Sequence, residues 1–246
     1  MTDLSKADSA LPAPSLGELL TQPSAFFQKL SALPPRPARY LWLVALTSLV
    51  SGVATTLLSR NALGVQSAAL SGAGGGLPIS PLFNYGAVVF ASVFVTALLW
   101  LLLWGLGTLG AGKEGRAAEV YGATFLPMLV WAAILLPLAA FFAPQITVPA
   151  PDLSGLSGVE LQKAIQQYAQ ATQAELGGNI VSRLSTYLGY AVYLWQFALA
   201  YIGFRVLTAN AGKAWRGVLF PAALLLVVGL AGWLLSRAVT GLTSGS

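Results

Sequence analysis

Arg116 and Glu119 are the side chains best placed for chemistry in this chain, standing three residues apart at the mouth of a long uncharged stretch. At that spacing an arginine and a glutamate share one helix face, and a carboxylate is favoured in a helix first turn. The same carboxylate has a sharper reading. An ionisable group at the edge of an apolar span is a candidate partner for another buried charge, here Arg205, or a carboxylate that couples ion movement. Arg205 directly follows a second uncharged stretch and is expected to snorkel to the interface. Gln196, nearly alone as a strongly polar residue inside such a stretch, is expected to make one interhelical hydrogen bond. Tyr187, Tyr190 and Tyr193 form a stripe that reads as an interfacial aromatic belt continuing into packing.

Two short basic segments share one pattern. Ala111-Gly112-Lys113-Glu114-Gly115-Arg116 and Ala211-Gly212-Lys213-Ala214-Trp215-Arg216 both read A-G-K-x-x-R. In each, the glycine is expected to end the incoming helix and the basic pair to lie at headgroup depth. The repeat has two explanations, a duplicated helical hairpin or convergence of short basic loops. Gly110 to Gly115 also spells G-x-G-x-x-G, but a dinucleotide site needs that motif between a strand and a helix, and no strand precedes it. It fails the phosphate-loop pattern too, because Lys113 is followed by Glu114 rather than Ser or Thr.

The chain has no cysteine and no histidine. That excludes disulfides, thiol catalysis, Ser-His pairs, the HExxH zinc site and ordinary haem ligation. No cofactor, metal site or catalytic residue is expected, and the net charge of +5 calls for no nucleic-acid partner.

These residues are positioned by five strongly apolar windows without a charged side chain: residues 40–59, 85–109, 120–143, 184–204 and 217–236. Each is about long enough to cross a hydrocarbon core of ~30 Å at ~1.5 Å per residue. Only 9% of the chain is charged, against ~25% in a soluble domain. The expected fold class is all-α, a polytopic integral membrane protein. Pro127 and Pro137 interrupt the third window and Pro221 lies near the start of the fifth. Each frees an upstream carbonyl, which kinks a helix or, in transporters, lines a solute site. Small residues at Ser48 and Gly52, and at Gly86, Ala87 and Ala91, favour close helix contacts.

Basic residues near the window ends set the orientation. Lys6, Lys29, Arg36, Arg39, Lys113, Arg116, Arg205, Lys213 and Arg216 fall on one side, against Arg60, Lys163, Arg183 and Arg237 on the other. That bias puts the N-terminus in the cytoplasm and the C-terminus outside.

Residues 1–14 read as a polar, disordered tail. Ser15 to Glu18 form a capping box, and apolar residues follow at helical spacing to Leu33. Pro23 splits the run into two short helices, with Ser24 capping the second. Residues 15–38 are expected to lie in the headgroup region with Lys29, Arg36 and Arg39 toward anionic lipid, to pack on the cytoplasmic end of the membrane bundle, or to do both. Leu33 to Pro37 is a stiff linker. The membrane domain spans 39–237, and 238–246 is a short tail. Arg60 to Asn84 reads as a flexible Gly/Ser/Ala-rich loop. Residues 157–178 read as an amphipathic helix that rests on the outer surface or covers a ligand, with Leu161, Ala164, Ile165, Tyr168 and Thr172 on one face.

Three segments resemble the Yip1 family of five-span membrane proteins, in its bacterial or archaeal branch. They are LGELLTQPSAFFQKLSAL (16–33, with Pro23 and Phe27), GTLGAGKEGRAAEVYGATFLP (107–127, with Tyr121, Gly122 and Pro127) and YLWQFALAYIGFRVLTANAGKAWRGVLFP (193–221, with Gly203, Arg205 and the Gly212-Lys213-Ala214 turn). The resemblance implies a cytoplasmic N-terminus, a five-helix bundle and no known enzymatic activity, and the Ala/Leu-rich composition without cysteine suits a prokaryotic plasma-membrane protein. Eukaryotic members are implicated in vesicle trafficking and contact Rab-type GTPases. This chain lacks the Asp-Leu-Tyr-Gly-Pro motif they carry before the first span, so that contact does not carry over.

Together these readings describe a non-enzymatic membrane-organising protein. Its cytoplasmic face, built from the N-terminal helices and the two basic turns, would bind anionic lipid headgroups or a cytoplasmic protein. Self-association is left open. The alternative is a small-solute or lipid transporter or channel built on the kinked third and fifth spans, with Glu119, Gln196 and Arg205 around a wet cavity.

Overall fold

A computed structural model of the protein describes residues 13–73, 81–142, 148–153, 155–178 and 180–244, and these are almost wholly helical with no strand among them. Five of the described stretches are long and apolar enough to cross a bilayer: Leu41–Leu58, Leu82–Ala111, Lys113–Phe142, Arg183–Thr208 and Ala211–Gly232. In lipid a helix satisfies its own backbone, which is why uncharged windows of this length resolve into helices.

Two short helices, α1 (Leu16–Thr21) and α2 (Pro23–Ser31), precede α3 (Leu41–Leu58). The Ser15–Glu18 capping box starts α1. Pro23 occupies the first position of α2, where its missing N–H costs nothing. The cap position there is Gln22 and Ser24 lies within the helix, contrary to the sequence expectation. The first connection is a helix rather than the expected loop: α4 (Arg60–Ala73) packs against α8 (Gly158–Gly178). Val65 and Ser67 on α4, and Leu161, Tyr168 and Thr172 on α8, are buried. The Gly74 to Gly76 run and most of the tail assigned to 1–14 lie outside the described residues.

The second window is α5 (Pro81–Ala111), which ends in a single 3-10 turn, Lys113–Gly115. The third window is split into α6 (Ala117–Ala123) and α7 (Leu126–Phe142). Pro127 sits in the first turn of α7, so it starts a helix instead of kinking one, and the break falls upstream at Thr124 and Phe125. Pro137 lies inside α7. The fourth and fifth windows are α9 (Ile180–Thr208) and α10 (Ala211–Ser244). Helix α10 contains Pro221 and runs on through the segment expected as a C-terminal tail.

The chain divides into two compact units. One holds the residues up to Tyr40, Leu101–Thr124 and the chain from Phe197 onward; the other holds Leu41–Trp100 and Phe125–Gln196. By sequence, the first carries ten basic and five acidic residues and the second three of each. The whole net charge of +5 therefore belongs to the first, called here the basic unit, and the second is the neutral unit.

In the neutral unit α3 packs extensively on α7. The close contact of α3 with α5 runs through Gly52, where a Cβ would come within 3.0 Å of Ser92 and 3.2 Å of the Val89 backbone. The Ser92 hydroxyl donates to the Ser48 carbonyl at 3.1 Å. Of the small residues expected to mediate such contacts, Ser48 and Gly52 do so. Gly86, Ala87 and Ala91 are exposed instead, because α5 presents its Val89–Ser92 face to α3.

Candidate functional site

The polar residues singled out by sequence gather mainly in the basic unit, around the docked N-terminal helices. Leu19, Phe26, Phe27 and Leu30 are fully buried, so the apolar face of α1 and α2 is covered by protein and does not lie on lipid. The Phe27 ring lies against α9 where a Cβ on Gly203 would approach within 2.8 Å, a fit that only glycine allows. Phe26 meets Phe27 edge-on at 5.1 Å and Tyr40 at 5.9 Å. Of the two expectations for residues 15–38, packing on the bundle is the one these contacts bear out.

A charged network fastens this dock. Glu119 is 1% exposed and pairs with Arg116 through Nε and with Arg39 through Nη1 at 3.2 Å. Arg116 then reaches across, donating from Nη1 to the carbonyls of Leu30 (2.7 Å) and Leu33 (3.0 Å). Leu30 lies in the last turn of α2 and Leu33 just beyond it, where the chain leaves the helix and carbonyls lack helical donors. Arg39 donates to the Pro34 carbonyl at 2.7 Å. A guanidinium with five fixed donors suits this bridging role better than an ammonium. Arg116 adopts a left-handed backbone (φ 49°), which turns its side chain inward between the 3-10 turn and α6. On the outer side of the dock, Lys29 pairs with Glu18, and the adjacent ammonium holds the Glu18 carboxyl below the usual carboxylate range.

The two A-G-K-x-x-R segments meet but are not equivalent. Lys213 on α10 pairs with Glu114 in the 3-10 turn at 2.5 Å. In the first segment Gly112 takes φ +78° and the chain leaves the helix; in the second, Gly212 is already inside α10. There the left-handed position falls on Ala209 (φ 51°), and the Asn210 side chain accepts from the Lys213 amide at 3.0 Å. In the dinucleotide-like string Gly112 serves the turn, while Gly110 and Gly115 serve packing. A Cβ on Gly110 would land on the Arg216 carbonyl, and one on Gly115 would meet the Ala111 methyl at 2.6 Å. Tyr121 closes the seam: it is fully buried, donates to the Gly217 carbonyl at 2.8 Å, and packs edge-on against Phe204 at 5.5 Å.

The remaining expectations resolve as follows. Arg116 is largely enclosed in the dock, where its side chain pairs with Glu119. Arg205 is exposed and does not pair with Glu119, whose two oxygens already face Arg116 and Arg39. Among the described residues Arg36, Lys113, Arg205 and Arg216 have no acidic partner. In the neutral unit Gln196 is 1% exposed, yet its Nε2 has no hydrogen-bond partner, so the expected interhelical bond is absent there. Tyr187, Tyr190 and Tyr193 are all exposed. Sequence reasoning missed Arg39, which was assigned to lipid, and Gly110, whose role depends on α10 arriving beside it. Neither carries a local signal. Among the described residues no three acidic side chains converge on a point where a metal ion could be held.

Phe27, Gly203, Tyr121 and Phe204, drawn from the three segments quoted for the family resemblance, thus touch one another within one unit. Comparison with curated proteins gives no match, and neither does comparison with solved structures. Comparison with family models matches the Yip1 domain over residues 17–236. That range takes in the docked helices, both basic turns and all five apolar helices, and the chain is therefore a member of the Yip1 family of integral membrane proteins.

Proposed function

We propose that this protein is a non-enzymatic, membrane-organising protein whose basic unit faces the cytoplasm of a prokaryotic cell and engages anionic lipid headgroups. The observation that carries the reading is the placement of charge. All of the net +5 lies in one unit, and four of its cations are left over after every described acid in it has a partner. Basic groups held near a membrane surface contribute about 1 kcal/mol each in attraction to an anionic leaflet. The docked helices act as a rigid support for this surface.

The transport reading has less support. Glu119 is enclosed by two arginines and Arg205 faces outward, so these residues do not line a shared polar path. The test reconstitutes the full chain in mixed phosphatidylglycerol and phosphatidylcholine vesicles and measures the lipid retained on extraction. Enrichment of the anionic lipid is expected, and it should fall when Arg36, Lys113, Arg205 and Arg216 are all changed to Gln. Retention in the ratio of the starting vesicles would defeat the proposal.

A further inference from the structure

We infer that the basic unit holds one specific seat for an anionic glycerophospholipid, in a notch between the proline linker and the end of α5; the inference rests on the reading above and deepens it. The notch has a volume of about 270 Å³, the space of about nine waters at ~30 Å³ each. Pro35 and Pro37 form one wall, Trp104 and Thr108 on α5 the other, and Lys113 and Arg116 supply the charge.

Three features select the occupant. The first is charge. Lys113 is exposed, lacks an acidic partner among the described residues, and borders the notch. Glu119 also borders it, but that carboxylate is outweighed by Arg116 and Arg39, so the local balance is positive. A zwitterionic headgroup would bring an ammonium that finds no carboxylate free of an arginine here, whereas a lone phosphodiester meets a net positive balance. The second is the walls. Prolines offer no backbone donor, and Pro35, Pro37, Trp104, Ala117 and Ala118 present carbon, which suits the glycerol and upper acyl chain of a lipid better than a hydrated free anion. The third is depth. Trp104 is half-buried in the last turns of an apolar helix, and tryptophan in such a place marks the boundary between headgroup and chain. Rigid prolines and a guanidinium fixed by carbonyls also leave little side-chain ordering to be done on binding.

The test uses the full chain, stripped of lipid in detergent and titrated with phosphatidylglycerol or phosphatidylcholine while native mass spectrometry counts bound lipids. One tight phosphatidylglycerol is expected above a background of weak adducts, with phosphatidylcholine failing to fill that place. Lys113→Gln, at an exposed position that does not threaten folding, should weaken the tight site about five-fold. Thr108→Leu, which fills the notch without changing charge, should weaken it too. Arg205→Gln and Arg216→Gln should leave it intact. If all the cation variants weaken binding alike, the notch is no seat and this inference falls while the wider charge reading stands. If the wild type shows no preference for the anionic lipid, both fall. Glycerol phosphate, which has the head chemistry without chains, should compete poorly; equal competition would overturn the lipid in favour of a free phosphate.

Discussion

The basic and neutral units differ in how their buried polar groups are met. In the basic unit the buried groups meet charge or hydrogen bonds: Glu119 hydrogen-bonds Arg116 and forms an ion pair with Arg39, Arg116 donates to the Leu30 and Leu33 carbonyls, and Tyr121 donates to the Gly217 carbonyl. In the neutral unit the Thr47 hydroxyl and the Gln196 amide nitrogen are buried without a partner. Thr47 borders a cavity of about 240 Å³ lined largely by apolar side chains such as Trp131 and Leu135. The lesson is about solvent. Lipid tails are as apolar as leucine, so burial alone gives membrane helices little reason to prefer one partner over another. Fixed geometry must come from close backbone approach and from hydrogen bonds, supplied at Gly110 and Arg116 in the basic unit and at Gly52 and Ser92 in the neutral one.

The largest effect expected from breaking that contrast is at Glu119. Glu119→Gln removes the only acid facing Arg116 and Arg39 among the described residues and should cost about 3 kcal/mol, read as a lower thermal midpoint in detergent. It should also expose α2 to proteolysis. An unchanged midpoint accompanied by a lost transport signal would instead restore the ion-coupling reading. Next comes a pair of glycines. Gly110→Ala places a methyl on the Arg216 backbone and should cost about 2 kcal/mol, while Gly86→Ala meets nothing within 4 Å and should cost none. Equal effects would show that the close approach at Gly110 does not set the cost. The smallest effect is at Gln196, where replacement by Leu should be neutral or raise stability by up to about 1 kcal/mol, since an unanswered buried amide is lost. A clear loss there would show that the neutral unit also depends on polar fastening.

Much of the fold was legible because it follows from local properties. The five windows, the Ser15 capping box and the split at Pro23 each depend on residues within a few positions of one another. The Arg116–Glu119 pair belongs with them, being one turn of helix. The first connection was misread for a related reason: its Gly/Ser/Ala content suits a loop, but packing of α4 on α8 overrides composition. Gly212 was misread because identical letters in the two basic turns begin different local structures, and only the neighbouring Ala209 and Asn210 distinguish them.

The sequence by itself determined that this chain lives in lipid, how many apolar helices it has, and that its excess charge is basic, since each depends on counting residues along one line. Which surface the N-terminal helices cover, which cation meets Glu119 and why Gly110 has no side chain were decided by the tertiary structure alone. Arg39 and Glu119 are eighty residues apart, and Gly110 and Arg216 more than a hundred. Contacts across such separations are set by which helices come to lie side by side, and side chains of small and apolar type carry almost no record of that choice.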